Sequence, residues 1–225
     1  MKKNLGLLVG VLFLIPLLCA PSALALPVQI ENPSFGTSPN SFVLEPNWGN
    51  YALGISGWSY SGNGIYGVWS PNQNAYNMNV PDGNSIGFID GGRGSIYQSL
   101  NHVLNPYTTL ALSVDIGNRF SWGAPSYDVQ LLAGDTVLAH SGAVMPTEGL
   151  FSNLNLTYLT KEDDPFGSDL GIRIILYSDF GQLNFDNITL SNDTTTASVP
   201  EPTTMILLGV GLIGLAGFGR KKFQK

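Results

Sequence analysis

Apolar and polar positions alternate with a period of two through most of the middle of the chain. Across 109–116, Leu110, Leu112, Val114 and Ile116 fall on one face, and Thr109, Ala111, Ser113 and Asp115 on the other. That is the pattern of a strand with one face buried. Tyr127, Val129 and Leu131 alternate with Asp128 and Gln130. Leu154, Leu156, Tyr158 and Thr160 share a face, and Ile172, Ile174 and Leu176 alternate with Arg173, Ile175 and Tyr177. A last strand is expected over 182–190. The first half predicts shorter strands at 27–31, 55–60, 65–69, 85–89 and 95–100. A long loop is expected over 32–50, with a short strand at 42–44, and a polar loop over 72–80. Gly62-Asn63-Gly64 reads as the strongest hairpin turn of the chain. Pro81-Asp82-Gly83-Asn84 and Gly91-Gly92-Arg93-Gly94 are further turns. No segment of the middle sustains a helical period over ten residues. Short strands joined by turns imply an all-β antiparallel sandwich.

The two ends have a different pattern. Lys2 and Lys3 precede an apolar run from Leu5 to Leu18, and Ala23-Leu24-Ala25 fits small-residue cleavage. Residues 1–25 therefore read as a signal peptide with Ala23 and Ala25 at the cleavage site. Signal peptidase and the general export machinery are the implied partners. Residues 26–190 form the sandwich domain and 191–199 a polar linker. The final segment, 200–225, opens on Pro200-Glu201-Pro202, continues as an apolar run over 203–219, and ends in a basic tail, 220–225, that starts Arg220-Lys221-Lys222. The prolines stop a helix from running back into the domain. The apolar run, roughly 25 Å long as a helix, predicts a transmembrane helix at the short end of what spans a bilayer. The basic cluster holds its far end on the cytoplasmic side.

Composition narrows the chemistry. The single cysteine, Cys19, lies in the signal segment, so the mature chain has no disulfide, thiol nucleophile or cysteine metal site. The only bases of 26–199 are Arg93, Arg119, Lys161 and Arg173, against fifteen acids. The domain therefore carries a net charge of −11, where the whole chain carries −6. Such a surface repels nucleic acid and offers hard oxygen ligands for calcium.

The C-terminal order of Pro-Glu-Pro, apolar helix and basic end resembles the PEP-CTERM sorting signal of Gram-negative bacteria. That resemblance implies recognition by an exosortase-type membrane protease and passage through an inner-membrane intermediate to the cell surface, outer envelope or extracellular matrix. In the middle, the order of Glu31-Asn32-Pro33-Ser34-Phe35, Ile55-Ser56-Gly57-Trp58, Pro81-Asp82-Gly83-Asn84, Ser95–Leu100 and Phe185-Asp186-Asn187-Ile188-Thr189-Leu190 resembles the galactose-binding-like jelly roll, as in carbohydrate-binding modules and DUF642-type domains. The resemblance implies that Glu31 and Asp186 meet at one end of the sandwich, where a structural calcium ion can sit. No cofactor is required. The alternative for Asp186 is a cap on a backbone turn.

Sugars are held by flat aromatic faces and planar polar groups. Trp48, Tyr66, Trp69 and Trp122, with Arg119, are the candidate glycan-binding residues. Trp58, after Gly57, reads as a core anchor. Arg119 follows a strand and reads first as one half of a structural salt bridge with an acid such as Asp115, and second as a ligand-binding residue. The two histidines, His102 and His140, sit in no recognisable triad or metal arrangement. Nothing in the spacing selects a catalytic pair among the acids. The reading is an exported, non-catalytic surface or matrix protein that contacts exopolysaccharide. A purely structural protein without a small ligand and a glycoside hydrolase-like enzyme are the alternatives.

Overall fold

The computed structural model describes residues 25–45, 47–123, 125–194 and 207–212. Most of the signal segment, including Ala23, and the sorting residues Pro200, Glu201, Pro202, Arg220, Lys221 and Lys222 lie outside the described residues. Residues 207–212 are helical. Among the described residues no helix is long and apolar enough to cross a membrane.

The alternating segments form two antiparallel sheets. One has seven strands: β1 (Leu26–Pro27), β2 (Gly49–Leu53), β4 (Ile65–Pro71), β5 (Ile86–Asp90), β7 (Thr108–Asn118), β10 (Leu150–Leu159) and β12 (Gln182–Thr194). They run in the order β10-β7-β12-β5-β4-β2, with β1 also paired to β12. The other sheet has the order β3-β6-β11-β8-β9, where β3 is Ser59–Gly62, β6 Gly94–Val103, β8 Tyr127–Ala133, β9 Thr136–His140 and β11 Asp169–Leu176. The inner faces supply one apolar core. Leu110, Leu112, Val114 and Ile116 of β7 are buried there with Val129 and Leu131 of β8 and Ile172, Ile174 and Leu176 of β11. Trp58 is buried in it as well. Its ring packs near Phe35, and its Nε1 donates to the Glu31 carbonyl.

The Gly62-Asn63-Gly64 turn is not a hairpin. β3 pairs with β6 in one sheet, whereas β4 pairs with β2 and β5 in the other. The Gly91–Gly94 loop does the same between β5 and β6, so the two turns cross side by side from sheet to sheet. Their contact explains the glycines. A Cβ on Gly62 would strike the backbone at Gly94, and one on Gly64 or Gly92 would strike the other loop. Asn63 N–H donates to the Arg93 carbonyl and ties the turns together. Local sequence predicts a tight turn; only the partner strands decide that it joins two sheets.

Other boundaries moved too. Residues 55–58 are not strand; Trp58 N–H closes a turn onto the Ile55 carbonyl. The expected strand at 27–31 shrinks to β1, although Val28 N–H still donates to the Leu190 carbonyl. Residues 42–44 make only the single bridge of Val43 to Tyr51. β12 runs on to Thr194 through part of the expected linker, because β7 offers partners as far as Thr108. A bulge between Asp186 and Thr189, with Asn187 at φ 48°, bends it midway.

Gly87 faces the inner core, where a Cβ would overlap the Phe185 ring and press on Phe35. Gly87→Ala is expected to destabilise the domain by about 1–3 kcal/mol through overpacking. A fall in the urea midpoint at unchanged slope is the measurement.

Candidate functional site

A second apolar cluster lies on the outer face of the seven-stranded sheet. Strand parity puts it there. Val68 of β4, Ile89 of β5 and Leu183 and Phe185 of β12 point into the inner core, so their neighbours Trp69, Ile86, Phe88, Gln182 and Asn184 point outward. Those outward residues are nonetheless buried, because the segment between β4 and β5 folds back over them. Ala75 and Tyr76 of that segment join Trp69, Ile86, Phe88 and Phe151 of β10 in the cluster. Backbone bonds hold the strap down: Phe120 N–H donates to the Ala75 carbonyl and Asn77 N–H to the Gly149 carbonyl. Tyr76 Oη donates to Asn184 Oδ1 at 2.7 Å in a fully buried bond. Burial pushes the Tyr76 hydroxyl well above its ordinary range, opposed by the Arg119 charge, so it stays a donor.

Arg119 follows β7 and lies where this cluster opens to solvent. Its guanidinium carbon is 4.2 Å from the Trp122 ring centre, 4.7 Å from that of Trp48 and 5.0 Å from that of Trp69. Each such contact contributes about 0.5–2 kcal/mol. Nη1 donates to Gln182 Oε1 at 3.0 Å. The indoles are themselves positioned. Trp69 Nε1 donates to the Trp48 carbonyl at 2.9 Å, and Trp122 Nε1 to Asp90 Oδ1 at 3.0 Å. Arg119 is only 6% exposed, and that burial lowers its proton affinity, with Asp90 and Tyr76 opposing. Trp69 is buried, whereas Trp48 is 51% and Trp122 42% exposed. Around this group lies a pocket of about 320 Å³. Trp48, Tyr51, Ile65, Trp69, Phe88 and Trp122 make its walls, and Glu45, Asp90, Arg119 and Gln182 supply its polar groups. A second, more polar hollow lies within the strap, between Ser70 and Asn84.

Four of the five residues expected to hold a ligand therefore converge: Trp48, Trp69, Trp122 and Arg119. Tyr66 does not join them. It has the opposite parity on β4 and stacks on Tyr60 at 4.6 Å, packed against the inner core. The salt bridge from Arg119 to Asp115 does not form; Asp115 instead accepts from Asn153 and Asn187. Gln182, Asn184, Asp90 and Glu45 were not picked out from the sequence. In the last strand Gln182 and Asn184 alternate with Leu183 and Phe185, which reads as an ordinary wet face. The one available hint was the aromatic Tyr76 inside an otherwise polar loop.

Glu31 is exposed and its backbone is tied to Gln98 and Trp58. Asp186 is fully buried at the bulge, where its two oxygens accept the N–H groups of Asp82 and Asn187. Among the described residues no three His, Cys, Asp or Glu side chains converge as a metal site. Desolvation raises the Asp186 carboxyl to about 7; the two amides oppose this, and Asp82 and Asp115 add to it. His140 is a surface residue, 3.5 Å from the buried Asp128.

Comparison with known proteins places these features. The HpiC1-like family, described as HpiC1 cyclase, matches residues 26–191. A PEP-CTERM protein-sorting motif matches residues 198–221, which implies export, exosortase processing and sorting to the cell surface. A cyclase from Fischerella sp. TAU, solved in complex with 4-(1H-indol-3-yl)butan-2-one, is 27% identical, with a TM-score of 0.64 over 76% of this chain and 98% of that one. The Stig cyclase Fisc from the same source, solved with (3Z)-3-(1-methyl-2-pyrrolidinylidene)-3H-indole, is 28% identical, with a TM-score of 0.65 over the same shares. No curated protein matches. The expectation of a non-catalytic protein is overturned: the family and these structures are those of enzymes. The acids and histidines had shown no catalytic spacing because the pocket is assembled from β2, β4, β5, β12 and the two segments that precede β2 and follow β7, far apart in sequence.

Two measurements test this geometry. Tyr76→Phe leaves Asn184 Oδ1 without its donor and is expected to cost about 1–3 kcal/mol in a denaturant melt. For Asp186, the folded-state pKa lies above the unfolded value, so its contribution to stability is present below about pH 4 and is lost as pH rises through about 7. Asp186→Asn should therefore gain thermal stability relative to the parent between pH 5 and pH 8. Calcium bound at Asp186 would hold the carboxylate ionised and flatten that trend, so melts with and without about 1 mM calcium test the ion as well.

Proposed function

Because the chain belongs to the HpiC1-like cyclase family, we propose that it is an exported enzyme that cyclises or rearranges an unsaturated aromatic small molecule in the pocket around Arg119. The observation that carries this reading is the aromatic-walled pocket itself. Its volume of about 320 Å³ suits a small ligand, and the indole compounds held by the two Fischerella cyclases are of that kind.

Ring closure within one molecule needs its flexible arm folded against the ring it will join, with water kept out. Flat apolar walls supply both, by fixing a reactive conformer and by shedding solvent. Trp69 and Phe88 are rigid parts of the sheet, and Trp48 and Trp122 close over from loops. A proton given at one end of an unsaturated arm and recovered at the other leaves the formula unchanged. Asp90 and Glu45 are the two carboxyl groups lining the pocket and are assigned the proton-handling roles. Asp90 is held by Trp122 Nε1, which fixes its position and makes it the better placed of the two. Arg119 organises the three indoles and presents donors to the ligand.

A second reading, contact with extracellular polysaccharide, is favoured by the exposed flat faces of Trp48 and Trp122. It is compatible with catalysis, since an exported enzyme can rest on the matrix through the rim of its own pocket.

The test is direct. Incubation of the purified protein with indoles carrying an unsaturated side chain is followed by chromatography and mass spectrometry for a product of unchanged mass. Asp90→Asn is expected to slow turnover by about a hundredfold, and Trp69→Ala to weaken binding of 4-(1H-indol-3-yl)butan-2-one by about tenfold. Absence of both binding and isomerisation across such a set sinks the proposal. Pull-down on the polysaccharide of the producing cell tests the second reading.

A further inference from the structure

Among the described residues Arg119 is the only basic one lining the pocket, and it has no acid to itself. Among the described residues no carboxylate lies within ion-pair distance of it; the ion pairs are Arg93 with Asp179 and the His140–Asp128 contact. This holds in a domain with fifteen acids to four bases. Arg93, on the surface, takes Asp179 at 3.1 Å, where a pair contributes little. Arg119, Lys161 and Arg173 have no ion pair among the described residues, and of these three only Arg119 is buried. Asp90 lines the same pocket but spends an oxygen on Trp122 Nε1. The partner that Arg119 does have, Gln182, is neutral.

We propose that Arg119 anchors a carboxylate, so that the ligand of this pocket combines a flat apolar body with a carboxylate group held on the guanidinium edge. The proposal rests on the reading of the pocket as the substrate site and adds the chemical class of what enters it. A guanidinium has five N–H donors in a planar fork. Here the three indoles cover it, and one nitrogen serves Gln182. The remaining donors have no acceptor among the described residues. Burying a cation without a counter-charge is costly, and a bound carboxylate offsets that cost with two parallel charge-assisted bonds. The indole walls then take the body of the ligand by stacking. Arginine fits this task and lysine does not, because only the planar fork both stacks and binds bidentately.

Glu45 and Asp90, on the same pocket, pull the other way and favour a protonated amine. That makes the amine the competitor to test. The carboxylate itself has two sources of the same chemistry, an aromatic acid or a uronic acid residue of a polysaccharide.

Calorimetry on the purified full chain in mild detergent separates these. The probes are 4-(1H-indol-3-yl)butanoate, 4-(1H-indol-3-yl)butan-2-one, the matching primary amine, and glucuronate against glucose. At pH 7 a carboxylate is expected to bind about tenfold more tightly than its neutral partner, a step of about 1.4 kcal/mol. A preference for the butanoate marks an aromatic acid, and one for glucuronate marks a uronate. Arg119→Gln should weaken both ligands, since the indole walls lean on the guanidinium, but should erase the difference between acid and ketone; Arg119→Lys should restore only part of that difference. If Arg119→Gln does not fold, the parent protein still decides. The butanoate advantage should fade toward pH 4 as the ligand is protonated, with ketone binding changing less. Equal binding of acid and ketone, or preference for the amine, overturns the carboxylate anchor and leaves the pocket reading in place. Failure of every probe overturns both.

Discussion

The outer face of the seven-stranded sheet depends on one buried cation. Arg119 lies among Trp48, Trp69 and Trp122 with a single, neutral hydrogen-bond partner among the described residues. An isolated guanidinium in such a place would be expensive. It is tolerated because π faces surround it, the Asp90 charge is near, and part of its edge reaches solvent. The same arrangement holds a loop on either side. Trp48 comes from the segment before β2 and Trp122 from the segment after β7, and both lean on Arg119.

The rest of the face follows from how the strap is seated. Tyr76 reaches down to Asn184 on β12, and its ring packs on Phe151 at 4.7 Å. Asp186, two residues further along the same strand face, accepts the Asp82 N–H from the far end of the strap. The strap is thus bonded to one strand at two points, and Ala75 and Tyr76 pack over the outward apolar side chains Trp69, Ile86, Phe88 and Phe151. Beneath it the inner core behaves as an ordinary sandwich core. The two faces of one sheet therefore do different work. The inner face holds the domain together, and the outer face carries, beside the strap, a pocket with aromatic walls and the carboxyl groups of Glu45 and Asp90 among its lining.

An enzyme family on a sandwich of this kind changes how an exported protein is pictured. The sorting motif sends the chain to the cell surface, and the family match assigns the exported body to an enzyme family. Nothing in the acids or histidines announces catalysis along the sequence, because this pocket has no nucleophile, metal cluster or triad among its described residues. What it offers instead is aromatic walls with Glu45 and Asp90 among its lining, the set on which the proposed rearrangement of one bound molecule rests.

Much of this was legible in the chain before any fold was known. Period-two alternation identified the long strands β7, β8, β10 and β11, since each buries one face of a pleat and records it residue by residue. The Pro-Glu-Pro tail identified the destination, because a sorting signal is read as a linear segment. Of the aromatics singled out with Arg119, Trp48, Trp69 and Trp122 do meet around it. Other features were not legible. Tyr66 and Trp69 are three residues apart on one strand and lie on opposite faces, one on the inner core and one in the pocket. Gln182 and Asn184 look solvent-facing until the strap covers them. Gly62-Asn63-Gly64 reads as a hairpin until its two flanking strands choose different sheets. Alternation along a strand reports which residues share a face. It does not report what covers that face, nor which strand lies beside it, because both are set by segments distant in sequence that meet only when the chain folds.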